Sequence, residues 1–497
     1  IVGGGIYGAM LLLEAQKSGL RTLLLEKRDF GGATSFNSLR IVHGGLRYLQ
    51  TMDLPRLRES VSERRWFLRT FPDLVYPLSC LMPLYGSGLK RPDVFRMALH
   101  ANDIFSYDRN RGVPPGRWLK AGYVIGHEAT KEAFPLVDYR GLKGAAVWFD
   151  AAMPDSHRIM IEVIRWASEL GGTALNYVSV DDVLKSHGRV AGVVAVDTAA
   201  GITYEYQSKS VVNAAGPWSR EFATKAHTDI PSLFTGSIAW NVLFSRPAIS
   251  RHALAVAPKR KNSQIYFMHP WKDKLLIGTG HASAETVSDN PHPTPDQLDV
   301  FIRDINQAIP GLDLAENEII TVLTGQLPVL RANSTRLTTR ELIIDHKKMG
   351  GPEGLYSVSG VKFTTSRLVA EKTIRLILKR SFKRQAKISS VQAEKRQVQN
   401  VDEVFHVNWN LSCVNDEAWK TCLEKLIETE SVVHLDDLLF RRINLIDTPA
   451  RLYQVVEKMP KTIDWRLNSW EEEVARLGKI YPSIGGSPRN DAVKVKG

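Results

Sequence analysis

Three glycines near the start of the chain, Gly3, Gly5 and Gly8, lie in Gly3-Gly4-Gly5-Ile6-Tyr7-Gly8, a fit to G-x-G-x-x-G. Glycines at that spacing let a backbone approach a pyrophosphate where a helix begins, and the unpaired N–H groups and dipole of the helix end favour negative charge. The pattern is weak alone; its surroundings strengthen it. Ile1-Val2 is an apolar stub, Ala9–Ala15 reads as helix closed by Ser18-Gly19, and Thr22–Leu25 reads as a buried parallel strand. Glu26 ends that strand, where its carboxylate would accept ribose hydroxyls and repel the 2′-phosphate of NADP. The result is a βαβ unit for binding a dinucleotide.

The residues after Glu26 bear on which dinucleotide it is. Gly31-Gly32-Ala33-Thr34-Ser35-Phe36-Asn37-Ser38 is rich in small and hydroxyl residues, and His43-Gly44-Gly45-Leu46-Arg47-Tyr48-Leu49 comes soon after. An NAD domain would continue with another helix and strand, whereas a second phosphate- and ring-contacting loop suits an extended FAD. The runs GGGIYG, LLLEKRDF, ATS-F-N-S and HGGLRYLQ resemble the N-terminus of the flavin-dependent glycerol-3-phosphate dehydrogenases, within the wider D-amino-acid-oxidase-like flavoproteins. HGGLRYL is the most specific piece. The resemblance continues through Asn213-Ala214-Ala215-Gly216, Pro270-Trp271, Leu276-Ile277-Gly278-Thr279-Gly280, Ser359-Gly360-Val361-Lys362-Phe363-Thr364-Thr365-Ser366-Arg367 and Leu435–Arg442, covering essentially the whole chain. It implies FAD contacts at Gly3, Gly5, Ile6, Gly8, Glu26, Lys27, Thr34, Ser35, Ser38, His43, Gly44 and Gly45. Further contacts are implied at Val178, Ala214, Gly216, Gly360, Lys362, Phe363 and Thr364.

Oxidising a secondary alcohol needs a hydride acceptor and a base for the hydroxyl proton. An anionic substrate also needs charge-assisted donors, for which arginine suits phosphate best. The resemblance places Arg47 and Tyr48 against the substrate and Lys362 near the substrate or flavin. His43 and His269 are candidate bases, with a packed or hydrogen-bonded histidine the competing reading for each. Two family features are missing. The family's K-G-S-H corresponds to Thr235-Gly236-Ser237-Ile238, without its lysine and its base histidine. Its G-V-R-P-L corresponds to Gly325-Gln326-Leu327-Pro328-Val329, so Leu327 replaces a substrate arginine, with Arg331 a candidate substitute. The I-G-T-T-D landmark ends here in His281 instead of aspartate. Three functional readings are open. The first is a flavin-dependent dehydrogenase of glycerol 3-phosphate or a relative; the second, an amine or amino-acid oxidase or dehydrogenase of the same fold. The third is a non-catalytic FAD-binding protein with a basic interaction surface.

The elements that must position these groups predict an α/β fold. A Rossmann-like FAD-binding domain (1–80, 140–225 and 340–380) interleaves with a mixed antiparallel-sheet substrate domain (81–139 and 226–339), and a helical domain comes after a basic linker (381–497). Residues 53–80 read as helix, 86–120 as basic loop with interleaved aromatic residues, and Thr294-Pro295-Asp296-Gln297 as a capping-box helix start. Asp155 reads as an N-cap. With 497 residues, 43% hydrophobic and 24% charged, the chain is an ordinary folded protein. Three cysteines without a C-x-x-C pair argue against a disulfide scaffold and a metal site. The 65 basic and 53 acidic residues leave +12. Much of the excess falls at 90–120 and 379–396, outside the motifs. That points to an anionic membrane surface; no nucleic-acid module accompanies it, and no nucleic acid is expected. A cytoplasmic location with peripheral contact at the inner face of a membrane is expected, with quinone or oxygen as electron acceptor. The chain opens inside the first strand without an initiator Met, which leaves a targeting segment ahead of it open.

Overall fold

The computed structural model describes residues 1–86, 91–260, 263–284, 286–330, 337–338, 340–381, 417–445, 449–459, 465 and 468–480. The chain divides into two compact units, Ile1–Gln397 and Val398–Gly497.

The first helix, α1 (Ile6–Lys17), is apolar on nearly every face and is buried almost throughout, as a helix covered by other elements must be. It leads into β1 (Leu23–Leu25), β2 (Ile41–Val42) and α2 (Leu54–Thr70). Asp53 caps α2, accepting the Arg56 N–H at 3.3 Å, and Pro55 sits in its first turn. The helix expected over 53–80 stops at Thr70 because Pro72 cannot continue it, and β3 (Tyr76–Leu84) comes next. The stretch expected as loop holds α3 (Pro92–Phe105), which begins on a proline and buries Phe95 and Leu99, four residues apart. Interleaved charges hid that short apolar stripe.

Next come β4 (Tyr123–Ile125), α4 (His127–Ala133), β5 (Gly144–Ala152) and α5 (Ser156–Glu169). Asp155 occupies the N-cap position of α5 but makes no cap hydrogen bond; its carboxylate pairs with His157 at 2.5 Å. Strands β6 (Thr173–Leu175), β7 (Val178–Ser186), β8 (Arg189–Asp197), β9 (Ile202–Gln207) and β10 (Val211–Asn213) precede α6 (Ser219–Ala226). The rest of the unit is β11 (Gly236–Phe244), β12 (Ala253–Val256), β13 (Tyr266–Trp271), β14 (Lys274–Ser283), α7 (Pro295–Ala308), β15 (Ile319–Pro328), β16 (Leu342–Asp345), β17 (Leu355–Ser359) and α8 (Ser366–Ser381). The capping box of α7 is made: Thr294 Oγ1 accepts the Gln297 N–H at 3.3 Å, and Gln297 Oε1 accepts the Thr294 N–H at 3.0 Å.

The pairings define a dinucleotide half and a substrate half. In the first, β1 pairs in parallel with β6, and β10 in parallel with β17, which also pairs with β16. Val2 bridges in parallel to both Leu25 and Asn213 and joins these ribbons into one layer. Helix α1 packs between α5 and α8, and β7, β8 and β9 form a separate antiparallel meander. In the second half, nine strands form one sheet in the order β15-β11-β14-β13-β12-β3-β5-β2, with β4 beside β5. That sheet takes in β2, β3 and β5, so segments expected within the FAD-binding spans serve the substrate sheet as well. One face of it packs on α7 through Ile238, Trp240, Val242, Met268, Ile277, Phe301 and Ile305.

The second unit is helical: α9 (Glu417–Thr429), a π-helical turn (Asp437–Arg442), α10 (Pro449–Lys458) and α11 (Trp470–Ile480). Here the Leu435–Arg442 motif is a polar network. Asp437 Oδ2 accepts the His434 N–H at 2.9 Å, buried Arg442 donates to the Glu430 carbonyl at 2.8 Å, and Glu473 accepts the Leu435 N–H at 2.7 Å.

Candidate active site

A cavity of about 1500 Å³ runs between the two halves of the first unit. Ordinary small-molecule pockets are roughly 300–1,000 Å³, so this one has room for an extended dinucleotide with a small substrate. At one end Gly3, Gly5, Ile6, Glu26, Lys27, Val178, Ala214 and Gly216 line it. A Cβ on Gly8 would lie 1.9 Å from the Gly3 carbonyl oxygen, so only glycine lets α1 begin this close to the strand end. The N-cap of α1, Gly5, has no side chain to offer, and Ser35 Oγ accepts the Ile6 N–H at 3.0 Å, leaving the other first-turn donors for phosphate. Glu26 accepts from the N–H groups of Gly4 (2.5 Å) and Arg28 (2.9 Å). Burial raises its carboxyl above the usual range against those two donors. The carboxylate is thus braced by its own loop while it faces the cavity. Lys27 lies over the Trp218 ring at 3.8 Å and pairs with Asp289 at 3.2 Å.

Thr34 couples the halves: its Oγ1 donates to the Gln326 carbonyl (3.0 Å) and accepts the Gln326 N–H (3.1 Å) on β15. Ser38 lines the cavity near the same loop and accepts the Arg40 N–H at 3.3 Å.

The His43–Tyr48 segment is anchored from β5, by residues whose role was not anticipated. Asp150 accepts from the Gly44 N–H at 2.7 Å and from Arg64 of α2 at 2.6 Å, and lies 3.2 Å from His43 Nδ1. Burial alone would raise its carboxyl, but the His43 hydrogen bond and the Arg64 charge outweigh it and hold it well below the usual range. A Cβ on Gly44 would lie 2.0 Å from the Arg64 guanidinium, so the first glycine of this motif lets that arginine in. His43 itself lines the cavity with its side chain 47% exposed.

Arg47, Tyr48, Lys362, Phe363 and Thr364 line the same cavity, and Gly360 with them. Lys362 Nζ donates to the Tyr48 hydroxyl, and its backbone carbonyl accepts from Tyr7 of α1 at 3.2 Å. Burial, with the Arg47 charge second, lowers the Lys362 ammonium to about 8. The loop holding Lys362 is anchored by Arg367, whose Nε donates to the buried Glu63 of α2 at 3.0 Å. Motifs more than 300 residues apart therefore converge on one wall.

The remaining expected residues separate. Gly8 and Gly44 shape the loops, Gly45 lines the cavity, and Leu327 lines it half-buried on β15. Arg331 lies outside the described residues. His269 does not line the cavity: on β13 it is buried with neither ring nitrogen hydrogen-bonded, edge-on to Trp271 at 6.1 Å, and burial lowers it to about 4. It is a neutral packed residue: it shares the Phe267 face of β13, but lies two residues beyond the part of that strand that lines the cavity. Ile238 faces the core under the sheet. His281, which does line the cavity, carried no signal in the sequence beyond its departure from the family's aspartate.

A family model described as FAD dependent oxidoreductase matches residues 1–376. The chain belongs to the FAD-dependent oxidoreductase family. Among the relatives of this oxidoreductase, a glycerol-3-phosphate dehydrogenase of Synechocystis is 29% identical over 391 residues, covering 75% of this chain and 68% of that protein. An aerobic glycerol-3-phosphate dehydrogenase of Staphylococcus haemolyticus is 28% identical over 381 residues, covering 76% and 66%. For a mitochondrial glycerol-3-phosphate dehydrogenase of Schizosaccharomyces pombe the values are 27% over 404 residues, 76% and 60%. The oxidoreductase thus spans roughly three fifths to two thirds of the length of these relatives. The solved glycerol-3-phosphate dehydrogenase of Bacillus halodurans complexed with FAD has the same fold, with a TM-score of 0.69 and 20% identity over 97% of this chain and 93% of that one. An L-proline dehydrogenase of P. horikoshii matches at a TM-score of 0.54 and 17% identity over 76% of this chain and 92% of that one.

The cofactor of the oxidoreductase is FAD, and the site fits it. The close approach at Gly8, the braced Glu26 and the length of the cavity suit an extended dinucleotide, and the Lys362 loop meets the first turn of α1 through Tyr7.

Proposed function

We propose that the protein oxidises a small hydroxy compound carrying an anionic group, of the glycerol 3-phosphate class. FAD, when bound, supplies the hydride acceptor. The observation that carries the reading is the pair Arg47 and Lys362. Both line the cavity, and the Lys362 ammonium is perturbed by burial and by a second cation, with no carboxylate contributing. Two cations on one cavity, near enough for one to perturb the other, suit an anion from outside. Tyr48 orients Lys362 through its hydroxyl, and a neutral cavity histidine accepts the hydroxyl proton of the substrate. The glycerol-3-phosphate dehydrogenases among the relatives agree with this substrate class.

Leu327, in the place of the family's substrate arginine, favours the second reading, an amine or amino-acid substrate. Anaerobic mixing of the FAD-loaded protein with glycerol 3-phosphate, and separately with amines and amino acids, decides between them. Bleaching by the phosphate ester is expected; bleaching by an amino acid alone would establish the second reading.

The electron acceptor is quinone or oxygen, read by the rate at which each reoxidises the bleached protein. Among the described residues no helix is long and apolar enough to cross a membrane. Contact with an anionic membrane surface, which we also propose, is supported by α3. Met97 (64% exposed) and Ile104 (70%) lie seven residues apart on one face, with Tyr107 (81%) just beyond the helix.

A further inference from the structure

Two of the departures from the family pattern face each other across one hydrogen-bonded unit. In the sheet, β11 lies between β15 and β14; Ser237 is paired with Leu327 on one side, and Ala239 with His281 on the other. Ile238, where the family carries a histidine, turns into the core, so the residues alternating with it approach the cavity. Ser237 Oγ lies 3.0 Å from the Leu327 carbonyl oxygen and 2.7 Å from His281 Nε2.

The protons of this unit can be counted. Ser237 is fully buried and its hydroxyl has one hydrogen. A carbonyl only accepts, so that hydrogen goes to Leu327. The hydroxyl oxygen must then accept from His281, which places the imidazole hydrogen on Nε2. The neutral ring therefore carries its lone pair on Nδ1.

We propose that His281 is the proton acceptor for the substrate hydroxyl, standing in from β14 for the histidine absent from β11, with Ser237 as the positioning residue that fixes its tautomer. This rests on the hydroxy-compound reading above. With FAD bound to supply the hydride acceptor for the substrate carbon, the O–H proton would pass to Nδ1 and the electron pair of that bond would become the second carbon–oxygen bond. The product is a ketone, and the imidazolium returns its proton to solvent. Burial lowers the His281 ring below the ordinary histidine value, which keeps it neutral and ready to accept. Burial is the one cause of that lowering, with no charged neighbour adding to it, and the β11 residues beside it, Ser237 and Ala239, are uncharged. His43 is placed differently. Its Nδ1 is held by Asp150, whose other contacts fix the Gly44 loop and Arg64, and nearly half of its side chain meets solvent.

The test is anaerobic reduction of the FAD-loaded protein by glycerol 3-phosphate across the neutral pH range, with substrate affinity measured in parallel. Replacing a general base costs about 10²–10⁴-fold, so His281→Asn is expected to lower the reduction rate by that factor. It should also leave affinity nearly unchanged and remove the acid-side inflection of the pH profile. His43→Asn retains that inflection. Ser237→Ala lowers the rate less and shifts the inflection, and Ser237→Thr, which keeps the hydroxyl, restores both. Nitrogen NMR of histidine-labelled protein should show the Nε2–H form of His281. An unchanged rate and pH profile in His281→Asn, with wild type reduced normally, overturns the inference alone, as does an Nδ1–H tautomer. Failure of wild type to be reduced by any hydroxy compound overturns the function reading and this inference with it.

Discussion

Lys362 turns the electrostatics of the site into a measurable pH dependence. Its ammonium is lowered to about 8 by burial and by Arg47, so it is a cation below that pH and loses its charge as pH rises through it. A bound anion favours the charged form, so the alkaline limb of kcat/KM should fall near pH 8 and that of kcat at higher pH. Lys362→Met should flatten the alkaline limb. A charge-assisted hydrogen bond is worth about 1.5–3 kcal/mol, so affinity for glycerol 3-phosphate should drop roughly tenfold to a hundredfold. Asp150 yields a second prediction. Removing it leaves Arg64 buried without its carboxylate, so Asp150→Ala should destabilise the fold by about 3–5 kcal/mol in thermal or denaturant unfolding. The carboxyl is depressed in the folded protein, so its contribution is present above the unfolded carboxylate value near about 4 and is lost as pH falls through the folded one. The sequence made Lys362, Arg47 and Tyr48 legible through their motifs. Asp150 and Glu63 were not, because a buried carboxylate is recognised by the arginine it meets, and Arg64 and Arg367 meet theirs from other elements.

At the scale of elements, α1 is where chain pattern and site coincide most closely. The glycine spacing and the acid after β1 were readable because each serves a local constraint, and Gly8 shows how tight that constraint is. Gly8→Ala would drive a methyl group into the Gly3 carbonyl and push the helix start from the strand end. The expected outcome is protein that retains its fold by circular dichroism, with the meander and substrate sheet intact, yet is purified without yellow colour. Full flavin occupancy in that variant would show that α1 does not cradle the cofactor. The misread elements failed for a different reason. In α3 the apolar stripe is two residues wide, and in 53–80 a strand comes after the helix beyond a proline, so local periodicity was outvoted by charges and by helix length. Ile238 illustrates the same limit within a strand. Which face a strand residue takes depends on register with its neighbours, and a shift of one residue reverses it.

At the scale of the molecule, the +12 charge has to be reconciled with where the cations stand. Several in the 90–120 region are engaged locally: Arg91 pairs with Asp93 at 2.7 Å and Arg109 with Asp103 at 3.0 Å. Much of the second basic run, 382–396, lies outside the described residues, so the described surface argues from the first. Here Met97 and Ile104 are exposed on α3 together with Arg96, and Arg111 and Lys120 are exposed later in the same region, a composition suited to an interface where side chains enter the headgroup layer and cations remain above it. Each basic residue close to an anionic leaflet contributes about 1 kcal/mol, and that share fades as added salt shortens the screening length to about 3 Å at 1 M. The apolar share does not fade. Sedimentation with vesicles containing anionic lipid should therefore carry the protein down at low salt, with binding reduced but not abolished at high salt. Met97→Ser together with Ile104→Ser should remove the salt-resistant part and leave the salt-sensitive part. Absence of sedimentation at low salt would refute membrane contact by this face, and binding lost completely on adding salt would assign it to charge alone.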